Sequence, residues 1–460
     1  MSKPEVQVFS TPEHIAEKKY IFNVLIEDFL NLSYSFEVSN ESSQFLIRKG
    51  NSKIIIPDIF FTHLYKEKTP ESPNTQEISV QCEQLIDQIL PAWFVQNESD
   101  SLNITKNCER LPVDVIGMAF FLLSGYADIH FSEQDEHLRY KGKTSFVVKN
   151  NLIDRPIIQE WFLVIANLLY GVEKLKPGKQ IPAYSKHVSH DVDQPFEYLD
   201  YTRSRLVKRI LGDLLIRRNV NKAKKRYRLY RAVKTGNYNA DPYNNFSEII
   251  DILKANDIKS TFFFVSGKNE SEHDVLYNIE HQAIKNIIKR IHKAGHLIGL
   301  HPSYNTLHSP ELLREEVQKL QNVCDVLDLE IEINSARKHY LRWDWHSTAK
   351  DLQDAGIKHD YTVGYADRSG YRTGVAFPYR GFDWKEKKSL DIKLHPLIVM
   401  EASLLSDKYM GLSLEQAEEK LVSYHNQLKR LGGEYVVLWH NNRLVDSQEM
   451  KSYKKLLSLQ

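Results

Sequence analysis

The spacing of apolar and polar positions changes character along the chain. Residues 43–48 and 52–56 read as two strands of a β-hairpin, with Gly50 and Asn51 supplying the turn and Pro57-Asp58 stopping the second strand. Residues 113–127 and 156–169 are almost wholly apolar and predict buried helices. The turn-rich stretch 174–182 predicts a linker. Beyond it the pattern alternates. Residues 187–193 predict a short strand ending in acids, and 260–265 a buried strand. Residues 278–294 carry Ile279, Ala283, Ile287 and Ile291 on one stripe and predict a helix closed by Gly295; a strand over 297–300 follows. Ser309-Pro310-Glu311 marks another helix start, and Ser413 with Gln416 forms a capping-box pattern opening a helix that ends at Gly432-Gly433. Residues 434–439 predict a last buried strand. Strands alternating with helices predict an α/β domain with a parallel sheet, whose chemistry gathers at the C-terminal ends of the strands.

Those strand ends carry the residues capable of chemistry. Asp191 and Asp193 end the first strand, His301 follows the strand 297–300, and His440 follows the strand 434–439. Residues two apart on a strand share a face, so Asp191 and Asp193 are expected side by side. Two carboxylates that close repel unless a cation intervenes. A divalent ion between Asp193 and His301 would relieve the repulsion and leave Asp191 free as a base; carboxylate with imidazole suits zinc. Without an ion the same spacing reads as a surface acidic turn or a helix cap.

Composition adds two constraints. Lys and Arg number 61 against 60 Asp and Glu, a net charge of +1 that argues against a whole-chain polyanion binder. The balance conceals a basic segment, 203–234, opposed only by Glu197, Asp200 and Asp213 and interleaved with Tyr201, Tyr227 and Tyr230. Leu206, Ile210, Leu214 and Leu215 stand at helical spacing in it and predict an amphipathic helical hairpin. Its candidate partners are an anionic membrane face or the diphosphate of a carrier-linked sugar. Nucleic acid is not expected, because no recognisable binding module surrounds the segment. The three cysteines, Cys82, Cys108 and Cys324, form no CxxC pair, which excludes a disulfide scaffold and a thiolate zinc site and leaves any metal to Asp and His. The start of the chain lacks the apolar core of a signal peptide, and no apolar run reaches the ~20 residues of a membrane helix. The expected location is cytoplasmic, with peripheral attachment at the inner membrane face as an option.

Five segments in order resemble the motifs of the polysaccharide deacetylase family, the NodB-homology carbohydrate esterases. Residues 189–195 resemble the first motif in its Asp-x-Asp variant, which implies Asp191 as general base and Asp193 as metal ligand. Residues 299–305 resemble the second, where two histidines four apart hold the metal: His301 matches the first, and Asn305 stands in place of the second. Asn305 ligating through its amide oxygen, His308 swinging in, and a weakened site are the three ways to complete it. Residues 335–340 resemble the third motif, Arg-x-Pro-Tyr, implying Arg337 as partner of Asp191 and the Tyr340 backbone N–H as oxyanion donor, with His339 replacing the proline. Asp360 and Arg372 fall in the fourth region as substrate-binding candidates. Residues 436–440 resemble the fifth, with His440 as general acid and Trp439 as pocket wall. The resemblance implies a distorted (β/α) barrel over 183–460, with the basic insertion at 197–240, behind an α/β accessory domain over 1–180. It also implies a zinc-dependent N-deacetylase acting on an N-acetylated glycan in bacterial surface polysaccharide or lipopolysaccharide assembly. Hydrolysis of a non-sugar C–N bond, as in the allantoinase-like branch, and a catalytically silent glycan-binding protein are the alternatives.

Overall fold

The computed structural model describes residues 4–39, 43–67, 70–96, 103–172, 174–267 and 272–459; Met1, Ser2 and Lys3, part of the stretch read for a leader, lie outside the described residues. The chain forms two compact units, Met1–His187 with Tyr340–Val437, and Val188–His339 with Leu438–Gln460.

The second unit carries the alternation expected of an α/β fold. Residues 189–192 run parallel to the strand Thr261–Phe264, which runs parallel to Leu297–Leu300, and Leu300 pairs in parallel with Ala336. Helices Phe246–Ala255, Gln282–Lys293 and Pro310–Val326 intervene along the chain. Phe262, Phe263 and Phe264 are fully buried and explain why this strand has no polar face. The register sets Gly299 level with Phe263, and a Cβ at Gly299 would come within 2.5 Å of that ring, so the strand pairing itself requires glycine there.

His190, which directly precedes Asp191 in the motif, is a core residue. Its Nδ1 donates to the Trp439 carbonyl at 2.8 Å, and its Nε2 accepts from the Tyr453 hydroxyl at 3.1 Å. Burial pushes its pKa down to about 3 against a partial lift from the Trp439 carbonyl. A histidine lowered on folding contributes stability that is full above its unfolded value near 6.5 and is lost as pH falls towards 3. Urea unfolding between pH 7 and pH 4 should therefore show an acid-dependent loss on the order of a few kcal/mol that His190→Gln flattens. An unchanged pH slope in the variant would contradict this.

The first unit joins the N-terminal segment to Tyr340–Val437. Within this unit ion pairs join residues far apart in the chain. Asp28 takes the Arg380 guanidinium at 2.8 and 3.0 Å, and Asp128 takes Arg372 at 2.8 Å. The expected hairpin is present, Gln44–Lys49 paired antiparallel with Ser52–Pro57. The apolar run at 113–127 is broken into helices Val115–Leu123 and Tyr126–Phe131. Gly125 at φ 80° makes the break, and the Trp345 ring lies 2.0 Å from where its Cβ would be.

The basic segment folds as helix Arg203–Leu211, a π-helical turn Gly212–Ile216 and helix Val220–Lys234. Leu206 is buried with Tyr198, Tyr201 and Val233, and Ile210 packs against them. Leu214 and Leu215 do not continue that stripe. At 3.6 residues per turn Leu215 falls on the side of the helix opposite Leu206, and it is 71% exposed.

Candidate metal and acid–base site

Five of the residues singled out in the sequence come together in the second unit. Asp191 is buried near the end of the first strand, and its Oδ1 accepts from Arg337 Nη1 at 3.0 Å. Arg337 is fully buried. Its backbone N–H donates to the Leu300 carbonyl at 3.0 Å, and its guanidinium lies 4.7 Å from the Phe263 ring centroid. His301 Nε2 lies 3.3 Å from Asp193 Oδ1 and 3.7 Å from Asp191 Oδ2, so both carboxylates face one imidazole nitrogen. His440 Nε2 lies 3.6 Å from Asp193 Oδ2.

The remaining histidine of the cluster is His339, which sequence reasoning took for a loop substitution. Its Nε2 lies 3.7 Å from Asp193 Oδ2, and its ring meets that of His301 at 4.9 Å between centroids. Asp193, His301 and His339 each present one donor atom, all within 4.8 Å of one another. The backbone positions His339 by donating its N–H to the Pro302 carbonyl at 3.1 Å. On the far side, its Nδ1 faces Asp274 Oδ1 at 3.5 Å, and Asp274 also accepts from the Tyr304 N–H at 2.7 Å. Neither His339 nor Asp274 was legible as a site residue, although a histidine gained at 339 beside one missing at 305 is a compensating pair visible in the sequence.

Asn305 lies exposed in the single 3-10 turn Tyr304–Thr306. That turn is pinned on both sides. Ser303 N–H donates to Glu316 Oε2 at 2.9 Å, and Lys338 Nζ donates to Thr306 Oγ1. His308 is likewise exposed, at φ 62°.

The donor set fits a divalent cation. A carbonyl can only accept, so the contact of His301 Nδ1 with the Arg337 carbonyl puts the proton on Nδ1 and turns the Nε2 lone pair towards Asp193. Asp193 Oδ1 is buried with no hydrogen bond. A lone pair facing a carboxylate repels it unless positive charge lies between them. In the bare cluster protons partly supply that charge. Burial works against ionised Asp193, yet His339 and then His301 outweigh it and hold the carboxyl well below the usual range. Burial likewise opposes charge on His339, but Asp193 and Asp274 raise its pKa to about 9. The histidine–carboxylate contact behind His339 is the arrangement that orients a metal-binding imidazole.

The other singled-out residues have structural surroundings. Trp439 is buried, its backbone N–H donates to the Ser189 carbonyl at 3.0 Å, and its ring packs on Tyr453 at 5.6 Å. In the first unit, Asp360 is fully buried and closes a local turn by accepting from the Thr362 N–H at 2.9 Å and hydroxyl at 2.6 Å. Arg372 is taken up by Asp128 and by the Gly364 carbonyl at 2.9 Å, with its guanidinium 4.7 Å from the Tyr365 ring. Tyr340 and Leu341 directly follow His339 and hold positive φ, 61° and 54°, and the Tyr340 carbonyl accepts from Arg139 Nη1 at 3.1 Å. Two non-glycine residues in this region store strain of about 1–3 kcal/mol each, a feature concentrated at functional sites.

Comparison with known proteins finds the same family over the part of the chain that holds the second and third motif segments. Residues 236–361 match the polysaccharide deacetylase family, and residues 7–173 match a family of unknown function, DUF7033. A chitin deacetylase from Colletotrichum lindemuthianum is 35% identical over 82 residues, 17% of this chain and 30% of the relative, so the chain spans about a third of the length of the curated relative it matches. Among solved structures, the chitin deacetylase of Colletotrichum lindemuthianum is 21% identical with TM-score 0.30, over 46% of this chain and 76% of the other. A putative polysaccharide deacetylase from Mycobacterium smegmatis is 14% identical with TM-score 0.36, over 59% and 82%. The chain thus resembles the polysaccharide deacetylases, and its N-terminal segment is a separate module in sequence.

Proposed function

We propose that this protein is a metal-dependent N-deacetylase of an N-acetylated glycan, its ion held by Asp193, His301 and His339. The observation that supports the reading is the cluster itself: a base candidate with its guanidinium partner, a carboxylate and two imidazoles facing one point, and a further histidine beside them. The ion, zinc in this proposal, supplies Lewis-acid polarisation of the amide carbonyl and of the attacking water.

The protein's own groups do the proton work. Arg337 engages Asp191 Oδ1, which leaves Oδ2 to take the proton of the attacking water. His440, whose side chain is 18% exposed, delivers a proton to the departing amine nitrogen. The N–H of Tyr340, next in the chain to His339, is the proposed donor to the developing oxyanion. Asp274 acts behind His339, and the Arg337 carbonyl behind His301, as orienting groups. The wider proposal places the reaction in bacterial surface polysaccharide or lipopolysaccharide assembly, in the cytoplasm, on a substrate presented at the inner membrane face or on a diphosphate carrier.

The test is acetate release from N-acetylated oligosaccharides by chelator-stripped protein before and after zinc is restored, with Asp193→Ala as control. Zinc-dependent acetate release that the control lacks is the expected result. Cleavage of a ureide without acetate from any glycan would replace the proposal with a non-sugar C–N hydrolase. Glycan binding without either product would make the protein a silent binder.

A further inference from the structure

The basic hairpin presents charge and apolar surface in an arrangement that the proposed reaction does not use. Residues 203–234 contain thirteen Lys and Arg and a single acid, Asp213. That acid is turned inward: its Oδ1 accepts from Arg217 Nε and its Oδ2 from Arg226 Nε, both at 2.7 Å, while Glu197 takes Arg226 Nη1 at 3.1 Å. The internal network therefore consumes the acids and two of the arginines, and leaves an outward face of cations.

Among those cations stands a run of bare aliphatic side chains. Leu215 and Ile216 are 71% and 80% exposed, and Val207, Leu211 and Val220 are each about half exposed. Leu215 and Ile216 lie in the π-helical turn Gly212–Ile216 that joins the two helices, Leu211 and Val220 flank it, and Val207 lies about one turn back in the first helix, so the most exposed aliphatic groups stand at the bend of the hairpin. Beside them a cleft of about 420 Å³ is lined by Arg205, Lys208, Arg209, Gly212, Ile216 and Arg217. Aliphatic groups projecting into water between Lys and Arg are costly unless another apolar phase receives them. Polyanions in water, nucleic acid included, satisfy the cations but give Leu215 and Ile216 nothing. A bilayer with anionic headgroups satisfies both: phosphates for the cations and the cleft, acyl chains for the bend.

We infer that the bend of this hairpin is a membrane anchor, inserting Leu215 and Ile216 below the headgroups of an anionic leaflet while the surrounding Lys and Arg bind lipid phosphate. The hairpin lies on the bilayer and does not cross it, since no helix among the described residues is long and apolar enough to span. The inference rests on the hairpin alone and stands whether or not the protein releases acetate.

Flotation of the full chain with phosphatidylcholine vesicles, with and without about 30 mol% phosphatidylglycerol, tests it. The expected result is binding to the anionic vesicles only, weakened about tenfold or more between roughly 0.1 and 0.5 M salt. Leu215→Ser with Ile216→Ser keeps the charge and should lower binding at least about tenfold, because both side chains are exposed and the fold does not depend on them. Ile216→Trp should show a blue-shifted emission on the anionic vesicles, a direct sign of burial in acyl chains. Absence of vesicle binding by the wild type would overturn the inference, as would undiminished binding by the double Ser variant or an unshifted Trp emission. So would loss of self-association, rather than of vesicle binding, in the double Ser variant, which would assign the patch to a second copy of the chain.

Discussion

Asp191→Asn is expected to lower deacetylation by about 10²- to 10⁴-fold, the range contributed by a positioned general base. The substitution keeps the shape of the side chain, and the amide oxygen can still accept from Arg337 Nη1, which stands 3.0 Å from Asp191 Oδ1. What it removes is a carboxylate able to take a proton at Oδ2, the oxygen that faces His301 Nε2 at 3.7 Å. Asp191 is not among the three residues that cluster as ion ligands, so bound metal should be retained. Steady-state acetate release, with metal content measured on the same preparation, separates the two roles. A rate within about threefold of wild type would remove Asp191 from the base role.

Arg337→Met is expected to destabilise the fold by about 3–5 kcal/mol, because it strips a buried carboxylate of its guanidinium partner. Both groups are out of solvent, Arg337 at 0% and Asp191 at 3% side-chain exposure, so water does not compensate. Methionine retains the backbone carbonyl that orients His301, so that contact is kept. Denaturant unfolding of Arg337→Met, Asp191→Leu and the double variant reads the coupling directly. The double variant should be less destabilised than the sum of the singles, since no lone buried charge remains in it. Strict additivity would show that the pair contributes nothing as a pair.

How much of this was readable in the sequence differs from residue to residue. Asp191, Asp193, His301 and His440 stand at or just past strand ends, and the strands betray themselves by short buried runs such as Phe262-Phe263-Phe264. The strand periodicity therefore carried those four residues to one site. His339 was invisible because nothing local marks it. Its place depends on the N–H groups of Arg337 and His339 bonding to the Leu300 and Pro302 carbonyls, a long-range docking of one loop on another. The surroundings of Arg372 were not legible for a related reason: a planar donor in a loop looks available until its partner is known, and a partner of Arg372 is Asp128, more than two hundred positions earlier. The helical hairpin was foreseen, but its π-helical turn Gly212–Ile216 has no signature in a 3.6-residue pattern.

The account turns on which third residue completes the metal site, and bound zinc per chain in two single variants measures that most directly. Asn305→Ala should retain about one equivalent after gel filtration, as the wild type should, whereas His339→Ala should lose it or bind at least about 10- to 100-fold more weakly in a chelator competition. Loss of zinc in Asn305→Ala with full retention in His339→Ala would contradict the account and return the ligand to the position the family spacing implies.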